Sequence, residues 1–116
     1  MLLILPLPPS VNRYWRVVHG HPVLSADAKA YKAAVGLHCN ALRLTPTTQP
    51  VALRIHVYRA RRAGDLDNSL KAILDALKGH AYLDDDQVTE IHAWRADDRR
   101  NPRVEVEIAP VTVETP

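Results

Sequence analysis

Asp65 and Asp67 stand two residues apart in Gly64-Asp65-Leu66-Asp67-Asn68, Lys71 follows one helical turn later, and Asp85 lies inside Leu83-Asp84-Asp85-Asp86-Gln87. Convergent carboxylates beside a lysine suit one task well, the holding of a hard divalent cation against a phosphate. Mg²⁺ takes oxygen ligands at about 2.0–2.1 Å and keeps several waters, so one or two protein carboxylates plus substrate oxygens complete its shell. A nearby ammonium group then offsets the negative charge that gathers on a phosphate under attack. These residue types point to metal-dependent hydrolysis of phosphodiesters.

Plainer duties compete with that reading. Asp67 is able to cap a helix that begins there, whereas Asp65 has no such structural role. Lys71 is spaced for a surface ion pair with Asp67 or Asp75, worth only a few tenths of a kcal/mol. For Asp75, four residues after Lys71 and three before Lys78, an ion pair within the helix is the favoured reading. Asp84, Asp85 and Asp86 suit a solvated turn, but three adjacent carboxylates repel, and a cation nearby relieves that cost. Other site chemistries fit poorly. An EF-hand loop starting at Asp65 needs Gly and Glu where Leu70 and Ala76 stand. There is no glycine-rich phosphate loop, no zinc spacing among the six histidines, and no serine or cysteine in a nucleophile motif.

The elements that must position these groups are legible in outline. Residues 2–7 form an apolar run bounded by prolines and predict a strand, followed by a basic and aromatic loop over 8–16. His21-Pro22-Val23-Leu24 reads as a short extended piece. Ser25 is a good N-cap, and the helix after it is expected from Ala26 to about Leu42, with Tyr31, Ala34, Val35, His38 and Leu42 on one face. Residues 44–50 read as a connector. Val51, Leu53, Ile55 and Val57 alternate with Ala52, Arg54, His56 and Tyr58, a period-two strand. A second helix is expected from about Asp67 to Lys78, with Leu70, Ile73, Leu74 and Leu77 on a packing face and Asp67, Lys71, Asp75 and Lys78 on a free one. Gly79 sits where glycine ends helices. Strands over 88–95 and 103–108, separated by a polar turn, complete the order β-α-β-α-β-β. That order implies one α/β domain over residues 1–116, a mixed sheet with two main helices, and a flexible tail over 109–116. The apolar segments 2–5 and 104–108 suit either core or a subunit interface.

Composition narrows the class. At 116 residues the chain supports one compact domain, and its 47% hydrophobic content permits a real core without any run of the roughly 20 apolar residues a membrane helix needs. The opening Met1-Leu2-Leu3-Ile4-Leu5 lacks a basic start and is broken by Pro6, Pro8 and Pro9, unlike a secretory signal. Cys39 is the only cysteine, which fits a reducing cytoplasm. The net charge of +2 conceals a division: residues 1–62 carry nine Lys/Arg against one acid, a net +8, and residues 63–116 carry six against twelve, a net −6. Such segregation predicts a basic surface for a polyanion beside an acidic cation site, unless the halves interleave and the charges mix. Arg13 and Arg16 are suited to phosphates, and Tyr14 and Trp15 to stacking on bases or to packing under the loop. Arg59, Arg61 and Arg62 precede the acidic motif and are placed to bring a phosphate backbone to it.

Taken together, these segments resemble the RusA family of Holliday-junction resolvases found in bacteria and prophages. The similarity runs over Leu5-Pro6-Leu7-Pro8-Pro9-Ser10-Val11-Asn12-Arg13-Tyr14-Trp15-Arg16, Ser25-Ala26, Asp65-Leu66-Asp67-Asn68, Lys71-Ala72, Asp75-Ala76-Leu77 and Leu83-Asp84-Asp85-Asp86-Gln87-Val88. The resemblance implies that Asp65, Asp67 and Asp85 are the metal-binding aspartates and that Lys71 is the essential lysine. Asp86 stands where a small neutral residue is expected. It also implies a RusA-like fold and a cytoplasmic homodimer, requiring Mg²⁺ with Mn²⁺ as a substitute, that resolves four-way DNA junctions by paired symmetric nicks in recombination and repair. Asn12, Arg13, Tyr14, Arg16, Arg59, Arg61, Arg62 and Asn68 are the implied DNA contacts. Two other readings remain open on the residues: a junction-binding module without catalysis, and a metal-requiring phosphohydrolase of small nucleotides.

Overall fold

A computed structural model describes residues 1–60 and 66–111, apart from the side chains of Val11 and Asn12. Strand β1 (Leu2–Leu5) leads to a single helical turn, α1 (Val11–Tyr14), and then to a ribbon of β2 (Trp15–Val18) and β3 (His21–Leu24). Helix α2 (Ala26–Ala41), strand β4 (Val51–Arg59), helix α3 (Leu66–Leu77), a 3₁₀ turn (Asp85–Gln87), β5 (Val88–Asp97) and β6 (Arg103–Pro110) complete the chain. The main sheet has the order β1-β6-β4-β5. β4 and β5 are parallel, while β6 is antiparallel to both β1 and β4. The sheet is mixed, as the element order predicts.

One sheet face carries the helices. The alternation in β4 buries Val51, Leu53, Ile55 and Val57, which join Leu3, Leu5, Val104 and Val106 in one core. Segments 2–5 and 104–108 therefore pair with each other and supply core, although Leu2 and Ile4 face out. From α3 come Ile73, Ala76 and Leu77, fully buried, with Leu70 and Leu74 packed at the margin.

Four expectations need correction. The expected loop over 8–16 ends early: Trp15 and Arg16 already belong to strand β2, which pairs with β3 across a tight turn in which His19 (φ 51°) and Gly20 (φ 78°) both take left-handed backbone. This is the geometry that short β-ribbons favour. On α2, Tyr31 and Val35 are buried as expected, but the stripe continues through Ala28, Gly36 and Cys39, while Ala34 is half-buried and His38 and Leu42 are exposed. Small residues win here because α2 is approached closely: a Cβ on Gly36 would lie 3.0 Å from Nε2 of His80. β6 runs on to Pro110, pairing Ala109 with Ala52 and Pro110 with Val51, so the expected tail does not begin at residue 109. Finally, the two charged halves interleave. β6, from the acidic half, lies between β1 and β4 of the basic half. Ion pairs Arg54–Glu107 (3.7 Å), Arg59–Asp97 (3.2 Å) and Lys32–Asp75 (3.3 Å) join them. The +8 and −6 do not become two separate surfaces, although residues 1–26 still hold no acid.

Candidate active site

The parallel pair β4 and β5 with α3 between them forms a β-α-β unit, and the candidate site lies along α3. Leu66 opens the helix, so Asp67 falls inside its first turn rather than at the cap. Two apolar stripes of the helix turn to the sheet, which leaves Lys71, Leu74 and Asp75 to line a cavity of about 320 Å³. Its other walls are Tyr82 and Asp85 from the connection after α3, and Val88 and Ile91 from β5.

That connection is held in place by its own chemistry. Gly79, at φ 88°, ends α3 in the left-handed region, and its N–H donates to the Tyr82 carbonyl at 2.7 Å. Tyr82 is fully buried and its hydroxyl donates to the Leu74 carbonyl at 2.6 Å. Gln87 then uses both ends of its amide. Its oxygen accepts from the N–H groups of Leu83 (2.9 Å) and Asp84 (2.8 Å), and its nitrogen donates to the carbonyls of Thr47 (2.7 Å) and Gln49 (3.0 Å). Asp85 is thereby presented on a turn tied at one side to α3 and at the other to the connector that leads into β4. Its carboxylate is well exposed and only loosely engaged, 3.9 Å from Lys78 Nζ. Lys71 has no ion-pair partner among the described residues and is exposed.

Asp75 behaves differently from its expected intrahelical pairing. It accepts a 2.6 Å hydrogen bond from the Tyr14 hydroxyl and lies 3.3 Å from Lys32 Nζ on α2. The ion pair exists, but its cation comes from another helix, because α2 crosses α3 where Asp75 emerges. Tyr14 is 4% exposed. Burial, then the Asp75 hydrogen bond and charge, raise its phenol well above the usual 10.0. Burial first, then Asp85 and Asp75, do the same for Tyr82.

Lys71 and Asp85 thus share a cavity, and the carboxylate that joins them on its wall is Asp75. Asp67 is exposed on the same stripe as Lys71 but outside the cavity wall, about 12 Å along the helix from Asp75 at 1.5 Å per residue. Asp65, Arg61 and Arg62 lie outside the described residues, as does the side chain of Asn12. Among the described residues, no three His, Cys, Asp or Glu side chains group as a metal site. Arg13 and Arg16 are exposed. Of the two roles open to Tyr14, stacking on bases or packing under the loop, the structure shows the packing: its ring is enclosed with Ala28 and Ala72, and its hydroxyl donates to Asp75. Arg59 is half-buried and paired with Asp97, a local engagement the sequence did not suggest. Asn68 sits half-buried in the first turn of α3. Gln87, Tyr82 and Lys32 escaped the sequence reading; for the first two, the only signal was their position flanking the acidic triplet.

The family model described as endodeoxyribonuclease RusA matches residues 6–109. Crossover junction endodeoxyribonuclease RusA of Escherichia coli strain K12 is 38% identical over 109 residues, covering 91% of each chain. The protein of that name from Shigella sonnei strain Ss046 gives the same values. That of Enterobacteria phage 82 is 37% identical over 109 residues with the same coverage. No helix among the described residues is long and apolar enough to cross a membrane. With a family match over nearly the whole length and relatives at this identity, the chain belongs to the endodeoxyribonuclease RusA family.

Proposed function

We propose that this protein is a nuclease that resolves four-way DNA junctions, hydrolysing one phosphodiester in each of two symmetry-related strands with the help of Mg²⁺. Family membership supports the junction as substrate. The observation that carries the chemistry is that Lys71 and Asp85, far apart in the chain, line one cavity. The donors there are carboxylate oxygens, with no thiol or imidazole among the described lining residues, a set that suits a hard ion such as Mg²⁺ or Mn²⁺. Asp85 is the cavity carboxylate assigned to hold it, with Asp65 and Asp67 assigned beside it from the family resemblance; Asp75, the other carboxylate on the wall, is already engaged by Tyr14 and Lys32. When bound, a divalent ion supplies Lewis acidity toward a phosphate oxygen and toward water.

The chain's own groups do the rest. Lys71, without an ion-pair partner among the described residues, offsets charge on the non-bridging oxygens of the scissile phosphate. The pinned 83–87 turn keeps Asp85 from drifting, so little ordering is needed when substrate arrives. Exposed Arg13 and Arg16 position flanking phosphates, a contribution that fades as salt rises. Two symmetric nicks need two sites, and a two-fold homodimer provides them.

The test is a labelled synthetic four-way junction incubated with the purified protein, with Mg²⁺ and with EDTA. Cleavage is expected only with the metal, in paired positions. Asp65→Asn is expected to abolish cleavage while leaving junction binding within a few-fold of wild type. Undiminished nicking in EDTA, or by the Asp65→Asn protein, would overturn the proposal.

A further inference from the structure

We propose that the β2–β3 ribbon is a wedge for nucleobases, in which Trp15 and Val17 meet unstacked bases at the branch point while Arg13 and Arg16 hold the adjacent phosphates; this rests on branched DNA being the substrate. Pairing sets Trp15 opposite Leu24 and Val17 opposite Pro22, so these four residues share one face of the ribbon. That face is apolar throughout. At its root Leu24 packs against Tyr14, Ala28 and Ala72. Further out the burial ends, with Trp15 54% and Val17 73% exposed. What sets Trp15 and Val17 apart from singly exposed apolar side chains is that they continue, with Pro22, an apolar face that begins in the core at Leu24.

Charge selects the occupant. Residues 1–26 contain no acid, and exposed Arg13 and Arg16 bracket Trp15 in sequence. A polyanion with apolar faces to offer is the ligand that matches both features. Apolar side chains inserted between base steps are a known mode of binding, and unstacking costs least where stacking is already interrupted, as at a branch point.

The wedge also stands in a fixed frame with the cavity. Tyr14, next to Trp15, is bonded to Asp75 of the cavity wall at 2.6 Å. The Ser25 N–H donates to the Tyr14 carbonyl at 2.9 Å, and the Ser25 hydroxyl donates to the Arg13 carbonyl. Trp15 meets Tyr14 edge-on at 5.4 Å between ring centroids.

The test uses a four-way junction carrying 2-aminopurine at the branch point, and a linear duplex of matching sequence, both in EDTA. Wild-type protein is expected to raise the 2-aminopurine fluorescence on the junction. Trp15→Ala should lose that rise and bind the junction about 5- to 150-fold more weakly, the equivalent of ~1–3 kcal/mol per stacked base, with duplex affinity within about twofold. Trp15→Phe should restore most of both, and Val17→Ser should show a smaller loss in the same direction. Melting temperatures close to wild type exclude a folding defect, which matters most for Trp15, whose ring also packs edge-on against Tyr14. A Trp15→Ala protein with unchanged fluorescence and affinity would refute the wedge while leaving the nuclease reading intact. So would a shift from dimer to monomer in sedimentation, which would assign the face to a second copy of the chain. A wild-type protein that ignores junctions altogether would remove the functional reading and the wedge with it.

Discussion

Replacing Tyr14 by Phe removes one oxygen and leaves the ring where it is. That hydroxyl is the link between the ribbon and the cavity wall, donating to Asp75 at 2.6 Å from a side chain only 4% exposed. A hydrogen bond to a charged partner contributes roughly 1.5–3 kcal/mol. The Asp75 side chain is 41% exposed and keeps Lys32 at 3.3 Å, so water and the ammonium recover part of the loss. The expected cost is therefore about 1–2 kcal/mol. With an unfolding entropy of about 2.1 cal/mol/K per residue, a chain of this length loses about 4 °C of Tm per kcal/mol, which gives a fall of about 4–8 °C by calorimetry. A cycle with Asp75→Ala isolates the bond: once the carboxylate is gone, Tyr14→Phe should cost nothing, because the phenol then has no acceptor. Equal costs in both backgrounds, or a single-mutant cost below ~0.3–0.5 kcal/mol, would mean the contact does not tie the ribbon down.

Two further outcomes follow from the same geometry. Gln87→Ala removes four hydrogen bonds at once, at ~0.5–1.5 kcal/mol each before water replaces some of them, so a loss of about 2 kcal/mol is expected. Hydrogen exchange should quicken at the Leu83 and Asp84 amides, and protection unchanged there would contradict the pinning role. Alkali should unfold the protein cooperatively. Tyr14, Tyr31 and Tyr82 are buried and hold their protons well above 10.0, while the unfolded chain releases them near that value. Stability is thus full below pH 10 and falls above it, by about 1.4 kcal/mol per pH unit for each tyrosine. Phenolate absorbance should rise together with loss of the circular dichroism signal; three phenols titrating near pH 10 in a protein still folded would refute this.

How far the sequence could be read depended on whether a pattern was local. β4 alternates cleanly because one of its faces is core and the other is not, and α3 shows its two faces for the same reason. Ser25 caps α2 as its type suggests, accepting from the Ala28 N–H at 3.1 Å. Trp15-Arg16-Val17-Val18 has no alternation to reveal a strand, because β2 pairs only with β3 and neither face of the ribbon is fully buried. On α2 size, not hydrophobicity alone, decides which residues face in, since His80 from the connection after α3 approaches Gly36 closely: Gly36 and Cys39 are inside and Leu37 is out.

Residue chemistry and short-range periodicity belong to the chain itself. The acids of the 65–67 and 84–86 segments, the lysine one turn on, the helix that carries it and the β4 strand before it could all be stated without coordinates. What the chain order could not supply is who stands next to whom across it. That β6 slips between β1 and β4 and mixes the charges, that Asp75 answers to Tyr14 and Lys32, and that Asp85 shares a cavity with Lys71 are consequences of long-range pairing. Such contacts depend on the register of strands and the crossing of helices, which are set by the packing of the whole core and leave no trace in any single window of sequence.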